Sequence, residues 1–159
     1  HIALYSRKAF EAGDLLIEFG ASAEQDHPTY LTLQVGEGRH IELRPEWLEH
    51  VNHSCDPNAL FDTTTFRFEA IRSIAPGDEL SFFYPSTEWS MGSPFKCKCG
   101  SPACVGVIAG ASQLGAAVLA GRRLTDFIAA KLRLLDAPAG AAPAAADGGA
   151  AAGAGAIMV

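Results

Sequence analysis

The sequence has no run of 18 consecutive apolar residues, so it predicts no helix that spans a membrane. It also has no excess of basic residues: 12 Lys and Arg stand against 18 Asp and Glu, which gives a formal net charge of −6. Because a phosphate backbone is bound by a basic face, direct nucleic-acid binding is not expected. The acidic balance is compatible with a cationic protein or peptide as partner.

The sequence also lacks a GxGxxG motif, a repeated strand–helix–strand pattern and an internal repeat, which argues against a Rossmann-type cofactor site. Its varied composition, rich in Phe, Leu and Ile, ends near Asp136, and the following residues are almost only Ala and Gly. This composition predicts that residues 137–159 are disordered, because they have too little side chain to bury. One folded domain of about 136 residues remains, and we expect a monomeric, intracellular protein, nuclear or cytoplasmic.

Strand-like runs dominate the folded part. "IALYSRKAF" and "GDLLIEFGA", joined at Gly13 and Asp14, predict a first hairpin. "LTLQV" and "HIEL", on either side of residues 36–38, predict a second hairpin. "TTFRFEAI" and "ELSFFY" are two further β-rich runs, on either side of a turn at residues 76–78.

Helix signals are few. "PEWLEHV" is long enough only for a turn or two of helix, with Pro45 in the first position. In "RLTDFIAAKLRLLD", apolar residues at helical spacing predict one helix packed on its own domain: Leu124, Phe127, Ile128, Leu132 and Leu135. The sequence therefore predicts a mostly β fold of many short strands with little helix.

The sequence has four cysteines, and their spacing is that of a metal site. Cys55 lies in "NHSCDPN", and the other three, Cys97, Cys99 and Cys104, lie in "CKCGSPAC". Four thiolates are what a closed tetrahedral zinc site needs. Two disulfides or four unrelated thiols are the alternatives. Disulfides are disfavoured because C-x-C neighbours bridge poorly and a domain of this size does not need covalent cross-links for stability. Zinc would order the C-terminal cluster by joining it to the loop at Cys55.

Three motifs follow one another in a fixed order: "NHSCDPN", "GDELSFFY" and "CKCGSPACVGVI". This order resembles that of the SET-domain protein lysine methyltransferases with a post-SET zinc segment. The resemblance covers about residues 1–110 and implies a fold of small curved sheets with a C-terminal pseudoknot, an exception to the rule against threading. It implies a SET domain over residues 1–92, a post-SET zinc segment over 93–110 and a C-terminal helical extension over 111–136, before the tail.

The resemblance also implies roles for individual residues. Asn52 and His53 match the family's pair that contacts S-adenosylmethionine, and Tyr84 matches its catalytic, cofactor-contacting tyrosine. Phe82 matches the channel aromatic that limits how many methyl groups fit. Ile2 and Ala3 align with the family's cofactor-binding G-x-G segment. The four cysteines match the ligands of one zinc ion: Cys55, Cys97, Cys99 and Cys104.

Methyl transfer to an amine is an in-line displacement, so these residues have to align the reactants and exclude water. A lysine, whose pKa is near 10.4 in water, must arrive unprotonated, and burial beside a sulfonium cation lowers that pKa. Tyr84 ends the apolar run "LSFFY", where a hydroxyl is otherwise not needed; the alternative is a core aromatic with its hydroxyl at the surface. Phe82 leaves room that a tyrosine would fill, which predicts di- or trimethylation.

The chain departs from the family pattern at three places. His1, Ile2 and Ala3 replace G-x-G, Phe83 replaces the acidic residue before the tyrosine, and Val105 replaces an arginine after the last cysteine. Two alternatives to the enzyme therefore stay open: a SET domain without turnover that acts as a zinc-stabilised protein-binding module, and a structural zinc domain without a ligand. The enzyme is favoured, with a lysine-presenting protein, such as a histone tail, as partner.

Overall fold

The computed structural model describes residues 2–136. The predicted disorder of residues 137–159 and the departure at His1 lie outside the described residues. Within them, the chain forms ten short strands, two α-helices and three 3₁₀ turns, which confirms the prediction of a mostly β fold with little helix. None of the helices in this part is both long and apolar enough to cross a membrane.

The strands are two to six residues long. They are β1 (Leu15–Glu18), β2 (Gly20–Gln25), β3 (Thr32–Gly36), β4 (Arg39–Arg44), β5 (Asn52–His53), β6 (Ala59–Asp62), β7 (Arg67–Ala70), β8 (Ser81–Phe82), β9 (Phe95–Lys96) and β10 (Val107–Ile108). The helices are α1 (Ala116–Leu119) and α2 (Asp126–Asp136), and the 3₁₀ turns are Glu46–His50, Tyr84–Ser86 and Ala111–Gln113. The predicted short helix after Pro45 is the first of these turns.

The strands pair into four small sheets, ordered β1-β7-β6, β2-β4-β3, β5-β8 and β10-β9. The second predicted hairpin is confirmed, since β3 and β4 are antiparallel neighbours with Leu33 opposite Ile41. Strand β2, with the sequence GASAEQ, pairs with β4 on its other side and was not predicted. Its small and polar residues have low strand propensity, so its structure comes from its neighbour.

The first predicted hairpin is wrong. Strand β1 pairs with β7, not with the preceding run, and Leu15 lies opposite Glu69. The N-terminal run instead makes single bridges to much later residues, from Tyr5 to Glu79 and from Phe10 to Ile74. Alternating apolar residues show that a segment is extended, but its partner is decided by which faces can be buried together.

The main core is built around stacked aromatic rings. The ring centroids of Phe61 and Phe68 lie 4.2 Å apart, and Phe82 meets Phe61 edge-on at 4.8 Å. Such pairs add about 0.5–1.5 kcal/mol each to the stability that burial gives. Phe82 is thus fixed by the core on one side, and its other neighbours belong to the site described below.

A second, smaller core joins the C-terminal part of the chain to the first cysteine loop. Cys55, Phe83 and Ile108 are buried in it together with Ile128 of α2. The predicted C-terminal helix is therefore confirmed as packing on its own domain. It begins directly after Thr125, whose hydroxyl donates to the Ser86 carbonyl at 2.9 Å. Leu135 does not join the buried stripe as predicted: it is 68% exposed, because the last turn of α2 extends past this core.

Candidate active site

The site forms where two of the sequence motifs run side by side. Strands β5 and β8 are parallel, with Asn52 opposite Ser81 and His53 opposite Phe82. The pairing continues as Ser54 N–H donates to the Phe82 carbonyl at 3.0 Å. The sequence-predicted residues Asn52, His53, Phe82 and Tyr84 are therefore brought together, although the paired residues lie about thirty positions apart in the chain.

Tyr84 is held at three points. Its hydroxyl donates to the Val51 carbonyl at 3.1 Å, its backbone N–H donates to His53 Nδ1 at 3.2 Å, and its ring lies 4.7 Å from that of Phe82. Burial, and then the proximity of Tyr30 and Glu88, raise the pKa of Tyr84 to about 12. The hydroxyl thus keeps its proton at neutral pH and acts as a hydrogen-bonding group of fixed direction.

His53 uses both of its ring nitrogens inside the protein. Since Nδ1 accepts from the backbone of Tyr84, the neutral ring carries its proton on Nε2, which lies 3.3 Å from Cys55 Sγ. Burial, and then the cation of Arg122, lower the pKa of His53 to about 4, so the ring is neutral. Contact between His53 and S-adenosylmethionine stays a prediction, and with both ring nitrogens engaged it would use the backbone or the ring face.

Asn52 ties the start of the described chain to the site. Its side-chain nitrogen Nδ2 donates to the Ile2 carbonyl at 3.1 Å and to Glu79 Oε1 at 2.8 Å. Ile2, which takes the place of a residue in the G-x-G segment, is therefore positioned by Asn52. Glu79 was not predicted to contribute, although it lies in the same "GDELSFFY" motif as Tyr84.

A cavity of about 280 Å³ opens beside Tyr84. Of the predicted site residues, Ile2, Asn52, Phe82 and Tyr84 line it, whereas His53 and Ala3 do not. The complete lining comprises Ile2, residues 29–33, Leu43, residues 48–52, Phe82, Tyr84, Glu88, residues 91–93 and Phe95. The walls are mostly apolar and aromatic, which suits an alkyl chain that carries one polar end.

Glu88 lines this cavity, and the sequence analysis missed it. The residue is only 6% exposed, and its Oε1 accepts from Gln34 N–H at 2.8 Å and from the Thr87 hydroxyl at 3.2 Å. Burial raises its pKa to about 7, against the opposing effect of these two hydrogen bonds. Glu88 N–H bonds to the Tyr84 carbonyl, so the two residues lie one turn apart, but no sequence signal marks this glutamate as buried.

The segment that carries Glu88 is clamped to the chain beyond the cysteines. Ala111 N–H donates to the Glu88 carbonyl at 2.8 Å, and Met91 N–H donates to the Ala109 carbonyl at 3.0 Å. The approach is so close that a Cβ at Gly110 would lie 2.5 Å from the Trp89 carbonyl oxygen, and Gly110 also has a φ of +113°. Only glycine fits there, so the position of Glu88 depends on the C-terminal segment.

The four cysteines form a cluster that fits a zinc ion. Their sulfur atoms all lie within 4.8 Å of one another, and those of Cys55 and Cys97 are 3.9 Å apart. Tetrahedral Zn–S bonds of about 2.3 Å place the sulfurs about 3.8 Å apart. All four cysteines are free, so the disulfide alternative finds no support in the described residues. Burial raises the pKa of the Cys55 thiol to about 12, and the thiolate therefore requires a cation at this position.

Arg122 joins the two halves of the cysteine cluster. Its guanidinium donates to the carbonyl of Cys55 and, at 3.2 Å, to the carbonyl of Ala103. The same group lies 4.5 Å over the ring of Phe83. This contact gives the departure at Phe83 a physical account, since the aromatic ring is buried under a cation. Nothing in the sequence pattern indicated Arg122.

Comparison with known proteins agrees with this architecture. Residues 2–85 match the SET domain family. The chain is 45% identical over 113 residues to "Methyltransferase flvH" of Aspergillus flavus, which covers 70% of this chain and 63% of that protein. It is 30% identical over 108 residues to the H3 lysine-36 specific histone-lysine N-methyltransferase of Saccharomyces cerevisiae, covering 64% of this chain and 15% of that enzyme.

These similarities show the class of the protein. The chain belongs to the SET domain family of protein methyltransferases, and its four clustered cysteines are consistent with a post-SET zinc site. The chain spans less than two thirds of the Aspergillus methyltransferase and a small part of the yeast histone enzyme.

Replacing Glu88 by Gln is expected to change how stability depends on pH. The pKa of Glu88 is about 7 in the folded protein and 4.5 for the unperturbed group, so between these values the folded state keeps a proton that the unfolded chain has lost. The stability that this bound proton contributes is therefore complete below the lower pKa and is lost as the pH rises through the higher one. The free energy of unfolding declines by about 3 kcal/mol at most over this range. In urea titrations between about pH 5 and pH 8, the free energy of unfolding should decline less in Glu88→Gln than in the wild type.

The matched control for this experiment is Glu18→Gln, which removes an exposed carboxyl at the end of β1. It should keep the pH dependence of the wild type. Identical pH dependence in the wild type and Glu88→Gln would show that burial does not hold a proton on Glu88.

Proposed function

We propose that this protein is an S-adenosylmethionine-dependent protein-lysine N-methyltransferase that transfers a methyl group to a lysine side-chain amine of a histone or another protein. The observation that carries the proposal is the cavity lined jointly by Tyr84, Phe82 and Asn52. These residues come from two of the motifs that the family shares, and the parallel β5–β8 pairing sets them beside one another. The names of the yeast relatives, which are H3 lysine-36 specific histone-lysine N-methyltransferases, support a lysine substrate.

The residues proposed to hold S-adenosylmethionine are Asn52, His53, Ile2, Ala3 and Tyr84. Bound there, the cofactor would supply an electrophilic methyl group on a sulfonium sulfur. Two contacts already shape this side of the cavity: Asn52 fixes the Ile2 backbone, and His53 fixes the Tyr84 backbone. The proposed cofactor residues are thus held by the fold before any ligand binds, which reduces the ordering cost of binding.

Tyr84 is proposed to align the amine. Its hydroxyl proton is committed to the Val51 carbonyl, so its oxygen remains an acceptor for an amine N–H. An amine that donates to this oxygen has its lone pair held in one direction, which favours an in-line displacement. The apolar walls exclude water from the reacting atoms, and the displacement itself requires the neutral amine.

Tyr84→Phe should reduce methyl transfer by about 100-fold or more, because the oxygen that orients the amine is removed. The assay follows labelled methyl groups from S-adenosylmethionine into mixed core histones and, separately, into a whole-cell protein extract. Tyr5→Phe is the matched control, because Tyr5 is 61% exposed and does not line the cavity. Equal labelling by the wild type and Tyr84→Phe would contradict the proposed role.

The same assay separates the enzyme from its alternatives. Cofactor binding without any transfer would favour a protein-binding module, and absence of both would favour a structural zinc domain. Transfer to a protein lysine, lost in Tyr84→Phe, supports the enzyme, and the labelled band gives the substrate class.

The products are expected to carry two or three methyl groups. Phe82 packs against both Phe61 and Tyr84 and has no hydroxyl to occupy the space beside the amine. Mass spectrometry of the labelled lysine should therefore show dimethylation or trimethylation in the wild type, and Phe82→Tyr should shift the product toward monomethylation. A wild-type product with a single methyl group would contradict this assignment.

The proposed zinc ion is expected at one per chain, bound by Cys55, Cys97, Cys99 and Cys104. Cys55→Ser removes a ligand and should therefore lower zinc affinity by more than about 100-fold. Changes to residues that only support the ligands lower metal affinity by up to about 100-fold. Elemental analysis after dialysis against a chelator measures this loss. Asp56→Asn is the control, since Asp56 lies in the same loop and its side chain pairs with exposed Arg72. Equal zinc content in Cys55→Ser and the wild type would refute the proposed site.

A further inference from the structure

The cavity beside Tyr84 contains one deeply buried carboxyl group, that of Glu88, whose position is built by several parts of the fold. Gln34 N–H of β3 and the Thr87 hydroxyl donate to its Oε1, and Ala111 N–H donates to the backbone carbonyl of Glu88. Gln34 is itself fixed, because its side-chain oxygen accepts from Trp89 N–H at 2.8 Å. A carboxyl placed this firmly in an apolar cavity is not a mobile surface group.

The other oxygen of Glu88, Oε2, has no hydrogen bond in the described part of the chain. It is not sealed in the protein either, since the fully buried atoms without a partner in residues 2–136 are His40 Nδ1, Arg67 Nε and Ser86 Oγ. Glu88 lines the cavity, and Oε2 is its carboxylate oxygen without a hydrogen bond within residues 2–136. The cavity therefore offers a ligand one unoccupied carboxylate oxygen.

Within residues 2–136, no Lys or Arg pairs with this carboxylate. The titratable groups that line the cavity are Tyr30, Glu49, His50, Tyr84 and Glu88, and neither Lys nor Arg is among the described lining residues. Lys131 lies near the same segment, 5.1 Å over the Trp89 ring, but it pairs with Glu37. A buried carboxylate without a counter-charge is costly, and the pKa of about 7 reflects that cost. The chemistry that relieves it is a cation that enters the cavity.

We propose that Glu88 recognises the substrate amine in its ammonium form and then accepts its proton; this inference rests on the proposed lysine methyltransferase function. The alkyl chain lies along the apolar walls, and the ammonium group pairs with Glu88 Oε2. Neutral groups of the same shape are disfavoured, because they leave the carboxylate buried and unpaired. The substrate class is therefore an alkylammonium, rather than an alcohol or an amide.

The proton step follows from the same pair. The N–H bond of the ammonium breaks, an O–H bond forms on Glu88 Oε2, and the nitrogen keeps the electron pair that attacks the methyl group. After the methylated product leaves as an ammonium ion, Glu88 releases its proton to water. A pKa of about 7 for Glu88 suits a general base that works near neutral pH.

Recognition is tested without turnover, with n-butylammonium as the probe and 1-butanol as its neutral analogue. At about pH 8, where Glu88 is ionised, NMR titrations should show that the wild type binds n-butylammonium about 10- to 100-fold more tightly than 1-butanol. Glu88→Gln keeps the size and the acceptor for Gln34 N–H, and it should lose this preference. Glu18→Gln, on exposed β1, should retain it. No preference in the wild type, or the same preference in Glu88→Gln, would overturn the proposal.

Proton acceptance is tested by the pH dependence of methyl transfer to the protein substrates of the histone and extract assays. Glu88→Gln should be slower by about 100-fold at pH 7, and the difference should shrink toward about pH 9.5, where more of the amine is already neutral. A constant difference at all pH values would show a structural role and overturn the proton step. If the wild type transfers nothing, the proton step and the proposed function both fail, and the butylammonium titration still decides recognition.

Discussion

The site depends on one short piece of parallel sheet, in which two residues of β5 pair with two of β8. Parallel strands cannot be joined by a tight turn, so such a pair is held by what surrounds it rather than by a local hairpin. Here the surroundings are aromatic: Phe82 faces the stacked rings of the main core, and Phe83 faces the second core under Arg122. Because neighbouring side chains of a strand point to opposite sides, Phe82 and Phe83 place this part of the chain between the two cores, and Tyr84 follows directly after them.

His53 connects the two chemical parts of the protein. One ring nitrogen holds the backbone of Tyr84, and the other lies against the sulfur of Cys55. The cysteine cluster and the cavity are therefore two hydrogen bonds apart, through a single rigid ring. This accounts for a His and a Cys two positions apart in "NHSCDPN": one orients the tyrosine and the other joins the cluster that holds the loop.

Much of the fold and part of the site could be predicted from the sequence, and the reason differs from residue to residue. The β3–β4 hairpin and helix α2 follow from local patterns, since a turn with glycines and a helical repeat are visible in a short window. The cysteines could be found because their residue type is rare and their spacing is specific, and the tyrosine motif was indicated by the resemblance to a known family. The partner of β1 could not be found, because pairing with β7 is decided by long-range burial.

Glu88 and Arg122 were missed for a similar reason. A glutamate and an arginine are ordinary surface residues in a sequence, and only the packing of Gln34, Thr87 and Ala111 turns the first into a buried group. Arg122 acts through backbone carbonyls of Cys55 and Ala103, which no residue pattern records. A motif search is least able to find residues that act through contacts with the backbone of distant residues.

The clamp between residues 88–91 and 109–112 has a consequence for how the cavity lining can vary. The family match ends at residue 85, whereas Glu88, Met91 and Phe95 line the cavity from beyond that boundary. These residues beyond the boundary are held in place through main-chain hydrogen bonds to residues 109–112, which depend little on the side chains they join except at Gly110, where only glycine fits. This part of the cavity lining can therefore vary in sequence while the residues that match the family model stay intact, so that the shape and polarity of the cavity are free to change within one fold.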